Sequence, residues 1–169
     1  MKIIFLDIDG VLNSTQFYER KSNNELLEEP FDRNNALQLK RIVEATDAKV
    51  VLTSTWRGGW HKNPVLCTLE GKLLNQLFSS LGISIYDKTP VLKEGRAAEI
   101  KAYLESCPEK VSAYVIIDDN DFHWKKNGLA RHVVQTDFEN GGLKEEHADQ
   151  SIAILNENLL SRFRRLCPI

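Results

Sequence analysis

Three groups of oxygen-bearing side chains stand directly after apolar runs in this 169-residue chain. Asp7 and Asp9 follow the run Lys2–Leu6 and lead into Gly10-Val11-Leu12-Asn13. Thr53-Ser54-Thr55 follow Lys49–Leu52, and Asp118-Asp119-Asn120-Asp121 follow Ala113–Ile117. Carboxylates two residues apart share one side of an extended chain. Asp7 and Asp9 would therefore point at one site, with Gly10 permitting the turn beyond them. A lone acidic residue after a strand often only opens a loop or caps a helix. Three apolar strands that each end in oxygen ligands point instead to a shared pocket. Four carboxylates gathered there stay ionised together only where a cation compensates them. An oxygen-only set without His or Cys selects a hard cation, Mg²⁺ first.

The surrounding pattern supplies elements that could bring these groups together. Lys2–Leu6 is continuously apolar at its centre, as expected of a strand buried on both faces. Lys49–Leu52, Ile83–Tyr86, Ala113–Ile117 and Arg131–Gln135 read as further strands. Between them, Asp32 caps a helix whose buried face carries Ala36, Leu37, Leu39, Ile42, Val43 and Ala45. Leu69–Leu81 is helical and stops at Gly82. Glu94–Ser106 is helical and ends before Pro108. Leu143–Leu166 forms a last helix with a break near Asn156–Asn158. Ile8 to about Phe31 reads as a loop with one helical turn around Asn24–Leu27, and Thr53–Thr68 as a second loop. Strands separated by helices imply an α/β fold, a Rossmann-like three-layer α/β/α arrangement around a parallel sheet. Ligands of such sheets sit beyond the carboxyl ends of the strands, where the three groups stand.

Composition narrows the class further. A 42% hydrophobic, 27% charged chain with net charge −2 reads as one soluble domain over residues 1–169. The near-neutral balance advertises no global basic field for nucleic acid. The apolar run before Asp7 is too short for a signal peptide, and no 18-residue apolar stretch occurs, so no membrane partner and a cytoplasmic location are expected. Cys67, Cys107 and Cys167 form no CxxC pair and read as free thiols of a reducing compartment. His61, His123, His132 and His147 show no metal spacing, and there is no glycine-rich P-loop to suggest an attached kinase. Oligomeric state is left open.

The pattern apolar-strand-Asp7-x-Asp9-Gly10-Val11-Leu12 resembles the first motif of the haloacid dehalogenase (HAD) superfamily of aspartate-nucleophile phosphotransferases. Val50-Val51-Leu52-Thr53 looks like its second motif and Ile116-Ile117-Asp118-Asp119 like its fourth. The third, a basic residue near a helix start, is matched by Lys93 or Arg96. A closer resemblance is to the small HAD domains associated with RNA repair. It rests on Asp7-Ile8-Asp9-Gly10-Val11-Leu12-Asn13, on Thr53-Ser54-Thr55-Trp56-Arg57 and on Arg96-Ala97-Ala98-Glu99-Ile100. It rests also on Val134-Gln135-Thr136-Asp137 with Gly142-Leu143. This match favours Arg96 over Lys93.

The resemblance implies a role for each residue. Asp7 would be the nucleophile that takes the phosphoryl group, and Asp9 the acid and then the base. Mg²⁺ would be held by Asp7, the main-chain carbonyl of Asp9 and Asp119, with Asp118 orienting the site or binding through water. Thr53, with Ser54 as substitute, would donate to a phosphoryl oxygen, and Arg96 or Lys93 would supply positive charge. An acid at position 9 argues for phosphatase chemistry rather than dehalogenation or ATP hydrolysis. A response-regulator receiver would carry its acid pair first and its phosphoaccepting Asp later, the reverse of the order here.

Neither Asn13–Phe31 nor Arg57–Lys93 is long enough for a separate cap domain, which needs about 50 residues. The open site so expected suits a polynucleotide end or a phosphoprotein and still admits a nucleotide. Trp56, Arg57, Trp60, His61 and Lys62, with His123-Trp124-Lys125-Lys126, could stack a base and hold a phosphate backbone. The plainer reading packs the tryptophans on the sheet edge and leaves the lysines solvated. Asn13 either fixes the loop after Asp9 or touches substrate, and Asp121 either caps the next turn or binds metal through water. Arg162, Arg164 and Arg165 read as a solvated helix face. The expectation is a Mg²⁺-dependent phosphomonoesterase acting on RNA or DNA ends, such as a 3′-phosphate, or on nucleotides. The alternatives are a phosphoprotein or small-metabolite phosphatase, and a binding or regulatory module that keeps the site without turnover.

Overall fold

The structure, a computed structural model, describes residues 1–23 and 30–157. Strands β1 (Lys2–Leu6), β2 (Lys49–Leu52), β3 (Ile85–Lys88), β4 (Ala113–Asp118) and β5 (Val133–Gln135) form one sheet in the order β3-β2-β1-β4-β5. Every neighbouring pair is parallel. The connections carry helices α1 (Thr15–Ser22), α2 (Arg33–Thr46), α3 (Leu69–Ser80), α4 (Arg96–Ser106) and α5 (Glu145–Asn156).

Successive strand side chains point to opposite faces, and both faces are covered. Ile4, Leu6, Val50, Leu52, Val115 and Ile117 pack with Leu39 and Ile42 of α2, Leu74 and Phe78 of α3, and Leu155 of α5. Ile3, Phe5, Val51 and Ile116 pack on the other side with Ala97, Ile100 and Tyr103 of α4 and with Trp124 and Leu129. This is the three-layer arrangement expected from the alternation of strands and helices.

Local chemistry sets the element ends. The Asp32 carboxylate accepts from Asn34 N–H at 2.9 Å and starts α2 where expected. The shift of β3 from Ile83–Tyr86 to Ile85–Lys88 has a clear cause. Ile83 N–H closes α3 by donating to the Phe78 carbonyl at 3.1 Å, so it is not free for the ladder. Helix α1 occupies a stretch read as loop. Ser14 Oγ accepts from Phe17 N–H at 3.2 Å, and Phe17 is its one buried residue. Eight mostly polar residues leave too little periodicity to reveal such a helix. The turn expected at Asn24–Leu27, and Cys167, Arg162, Arg164 and Arg165, lie outside the described residues. Among the described residues, the span from β1 to α2 contributes only α1. The span from β2 to β3 contributes 3-10 turns at Thr55–Gly58 and Pro64–Leu66 and helix α3. No helix among the described residues is long and apolar enough to cross a membrane.

Register brings the three groups level. Leu6 pairs with Leu52 on one side and Ile117 on the other. The ladder runs on past these residues. Asp7 N–H donates to the Ile117 carbonyl at 3.0 Å, Thr53 N–H to Leu6 at 2.9 Å, and Thr136 N–H to Asp118 at 3.0 Å. Asp7, Thr53 and Asp118 therefore leave the sheet side by side, about 4.8 Å apart from strand to strand.

Phe5 anchors this region from below. It is fully buried, and its ring meets Tyr103 and Tyr114 edge-on at 5.7 and 5.9 Å. Phe5→Ala is expected to lower stability by about 3–5 kcal/mol, measured as a lower urea midpoint. A loss under about 1 kcal/mol would show that this side of the core collapses around the cavity.

Candidate active site

One guanidinium links two of the strand ends. Arg96, the first residue of α4, places Nη1 3.0 Å from Asp7 Oδ1 and 2.6 Å from Asp118 Oδ2. Its Cζ lies over the Phe122 ring, 4.7 Å from the centroid. Asp118 is fully buried, and its other oxygen accepts from Asn120 N–H at 3.0 Å. Ser54 donates to the Asp7 carboxylate and also accepts from Trp56 N–H at 3.4 Å. Of the two basic candidates, Arg96 is therefore in contact with the acids. Lys93 is exposed on the preceding loop, outside these contacts.

Thr53 is buried, and its Oγ1 has no hydrogen-bond partner among the described residues. A buried hydroxyl left unpaired carries a desolvation cost of about 1–3 kcal/mol. It stands one strand over from Asp7.

Asp9 is exposed, but its carboxylate is aimed. Oδ1 accepts from Asn13 Nδ2 at 2.8 Å and Oδ2 from Trp56 Nε1 at 3.0 Å. The Asn13 oxygen in turn accepts from Gly10 N–H at 3.1 Å. Gly10 is required twice. Its φ is +77°, and a Cβ there would lie 2.3 Å from Asp119 Cγ. Thr136 Oγ1 donates to the Gly10 carbonyl at 2.7 Å, and Leu143 N–H donates to the Val11 carbonyl at 2.9 Å. The segment Val134–Leu143 thus braces the turn that carries Asp9, a role that sequence reasoning did not assign.

Several expected substrate contacts take other positions. Asn13 is fully buried with both amide ends used on the Asp9 turn, the loop-fixing position. Arg57 is buried and ion-paired with Glu99 at 2.8 Å, and it also donates to the Thr53 and Ser54 carbonyls. It has turned inward, because Glu99 of α4 and two strand-end carbonyls offer it charge and acceptors there. Trp60 and Trp124 are buried, with their indole N–H groups on Asn75 and on the Asn120 carbonyl, and Lys62 pairs with Asp87. They are not a stacking platform. Asp121 accepts from Trp124 N–H at 3.1 Å, the capping role. Trp56 remains half-exposed, its ring 5.2 Å from that of Phe31.

A family model for the HAD domain in Swiss Army Knife RNA repair proteins matches residues 3–148. The chain belongs to this HAD family. The match spans every group described above, from β1 to the start of α5. No curated protein matches the chain.

The electrostatics of this HAD domain favour a cation. Asp7, Asp118 and Asp119 each offer an oxygen, and these atoms all lie within 4.8 Å of one another. When all three are ionised, the carboxylates outnumber the Arg96 guanidinium that pairs with them by two charges. Burial raises the Asp7, Asp118 and Asp119 carboxyls above their ordinary range in spite of Arg96, and Asp118 is pushed up to about 7. The set is all oxygen and fits a hard divalent cation.

The sign of the pH effect follows. A carboxyl raised in the folded chain contributes stability below its unfolded value near 3.8 and loses it as pH rises through the folded value, about 7 for Asp118. A bound cation removes that loss, and below pH 7 it must also displace protons. MgCl₂ is therefore expected to raise the thermal midpoint more at pH 8 than at pH 5.5. An equal shift at both values would remove the carboxylates from the metal site.

Proposed function

We propose that this HAD domain is a phosphomonoesterase that forms an aspartyl-phosphate on Asp7, with phosphorylated nucleic-acid ends or nucleotides as substrates. The observation that carries the reading is the buried, unpartnered Thr53 hydroxyl, level with the Arg96-paired carboxylate of Asp7. A tetrahedral phosphoryl group would give that hydroxyl its acceptor.

In the proposed reaction an Asp7 oxygen attacks phosphorus in line with the ester bond. The new O–P bond forms as the ester P–O bond breaks, and Asp9 gives its proton to the leaving oxygen. Asp9 then takes a proton from water as that water attacks the aspartyl-phosphate. Inorganic phosphate leaves, and the Asp7 carboxylate is restored. Asn13 and Trp56 hold Asp9 in place for both proton transfers. Arg96 offsets charge on Asp7 and the phosphoryl oxygens, and Asp118 fixes Arg96. Asp7, Asp119 and the Asp9 carbonyl would hold Mg²⁺, which when bound neutralises charge on the transferring group. The nucleic-acid assignment is supported by the RNA repair proteins in which this family's domains occur. The half-exposed Trp56, hydrogen-bonded to Asp9, offers an aromatic surface beside the proposed acid.

The test compares phosphate release from 3′-phosphorylated RNA, 3′-phosphorylated DNA, 5′-mononucleotides and phosphopeptides, with Mg²⁺ and with EDTA. Turnover of nucleic-acid ends or nucleotides above phosphopeptides is expected, and the opposite ranking would overturn the substrate assignment. Asp7→Asn should lose more than about 10³-fold in kcat, and full activity in this variant would sink the aspartyl-phosphate. Thr53→Val should lose about 100-fold in kcat, as for one oxyanion donor. Its thermal midpoint should not fall, because the hydroxyl has no partner to lose.

A further inference from the structure

The mechanism above leaves one buried ion pair unused. Arg57 and Glu99 have side chains only 8% and 5% exposed, and Arg57 Nη2 lies 2.8 Å from Glu99 Oε1. Burying two charges carries a large desolvation cost before their attraction is counted, and apolar residues of similar size often serve stability as well or better. Arg57 Nε is also left without a hydrogen-bond partner among the described residues. A pair so placed is poorly explained as a stabiliser alone.

Its connections explain it better. Arg57 Nη1 donates to the main-chain carbonyls of both Thr53 and Ser54, the latter at 3.2 Å. These two residues carry the hydroxyl left open for the phosphoryl group and the hydroxyl bonded to Asp7. Glu99 stands three residues after Arg96 on α4, so the two lie on the same side of that helix. Glu99 Oε1 also accepts from Leu92 N–H at 3.1 Å, on the loop that leads into α4. Lys88, at the end of β3, donates to the Arg57 carbonyl in the 3-10 turn Thr55–Gly58 at 2.9 Å and to the Trp60 carbonyl just beyond that turn at 2.6 Å. The guanidinium fork holds two consecutive carbonyls through Nη1 and a carboxylate through Nη2 in one fixed planar geometry.

We propose that Arg57 and Glu99 are positioning residues that set the distance between the two halves of the phosphoryl site, Thr53 and Ser54 on β2's end and Arg96 on α4. The proposal rests on the phosphatase reading of the site. Core packing of Val51 against α4 and the Asp7 link hold the two elements near each other, and the pair sets their final spacing, where misplacement by about 1 Å is enough to cost about 100-fold in rate.

The test uses Arg57→Met/Glu99→Met, which removes both charges and keeps the volume, and Glu99→Gln, which keeps an acceptor for Leu92 and Arg57. Thermal midpoint, kcat and KM on an aryl phosphate, and the midpoint shift produced by tungstate are measured for each. The double variant is expected to melt at or above the wild-type temperature and to lose about 100-fold in kcat with little change in KM. Its tungstate shift should shrink in parallel. Glu99→Gln should lose kcat in the same direction by less. A folded double variant with wild-type kcat and tungstate shift would overturn the proposal. If the double variant does not fold, Glu99→Gln decides, and wild-type kcat in it overturns the proposal equally. Tungstate reads the oxyanion site without turnover, so the two readings separate. A wild-type chain that binds tungstate but hydrolyses no phosphoester overturns the phosphatase reading. Loss of the tungstate shift in the variants then still supports the clamp, and its retention overturns it. A wild-type chain that does neither overturns both.

Discussion

Everything at the strand ends depends on how Arg96 shares itself between Asp7 and Asp118. Two carboxylates buried on neighbouring strands repel each other in a medium that screens poorly, and neither could stay charged there alone. A single Nη1 within 3.0 Å of both links them and ties α4 to β1 and β4. The Phe122 ring lies against the guanidinium, 4.7 Å from ring centroid to Cζ. The link is incomplete by design of the charges: Asp119 joins the same cluster, and one cation cannot balance three acids. The residual negative charge is the physical reason to expect a divalent ion, and burial, which raises all three carboxyls, acts in the same direction.

That arrangement requires register. A slip of one residue in a strand turns every side chain to the other face, which would put Asp7 among the apolar residues of a core layer. The pairings Leu6 with Leu52 and Leu6 with Ile117 hold it, and main-chain bonds from Asp7, Thr53 and Thr136 extend the ladder one step past the apolar runs. The turn beyond Asp7 is held just as firmly. Gly10 gives way to Asp119, Thr136 bonds the Gly10 carbonyl, and Gly142 leaves room for the Val11 carbonyl, 2.6 Å from where a Cβ would stand. Chain segments more than 120 residues apart thus converge on one turn.

The parts legible in the sequence were those written in apolar runs and local chemistry. The central strand, the Asp32 cap, the acids after β1 and β4, and the three layers follow from patterns a few residues long. The Arg96 alternative was narrowed by resemblance, and the geometry places that residue, not Lys93, on the acids. What was illegible depends on contacts between distant segments. Nothing local says that Arg57 turns toward Glu99, 42 residues on, or that the Asn13 amide is spent on Asp9 and Gly10. Aromatic and basic residues in one stretch suggest a nucleic-acid surface by type alone. Trp60, Trp124 and Arg57 show that burial takes such residues first when acceptors wait inside. Helix α1 escaped notice because its one buried residue, Phe17, makes no periodic stripe.

The contrast between Asp7 and Asp9 is the strongest internal argument for their division of labour. They are the same residue type two positions apart, so any difference between them comes from surroundings. Asp7 is buried, charge-paired with Arg96 and fixed by Ser54, the setting of a group whose lone pair must meet phosphorus along one line. Asp9 is exposed and oriented by two neutral donors, an amide and an indole, which aim it without adding a charge. A group that must give a proton to a leaving oxygen and then take one from water needs access to both, and only the exposed position has it. Reversing the roles would ask a solvated carboxylate to make the in-line attack and a buried one to exchange protons with water. In the proposed reaction the strand end at Leu6 thus separates nucleophile from acid by placing one inside the sheet's edge and the other on the turn above it.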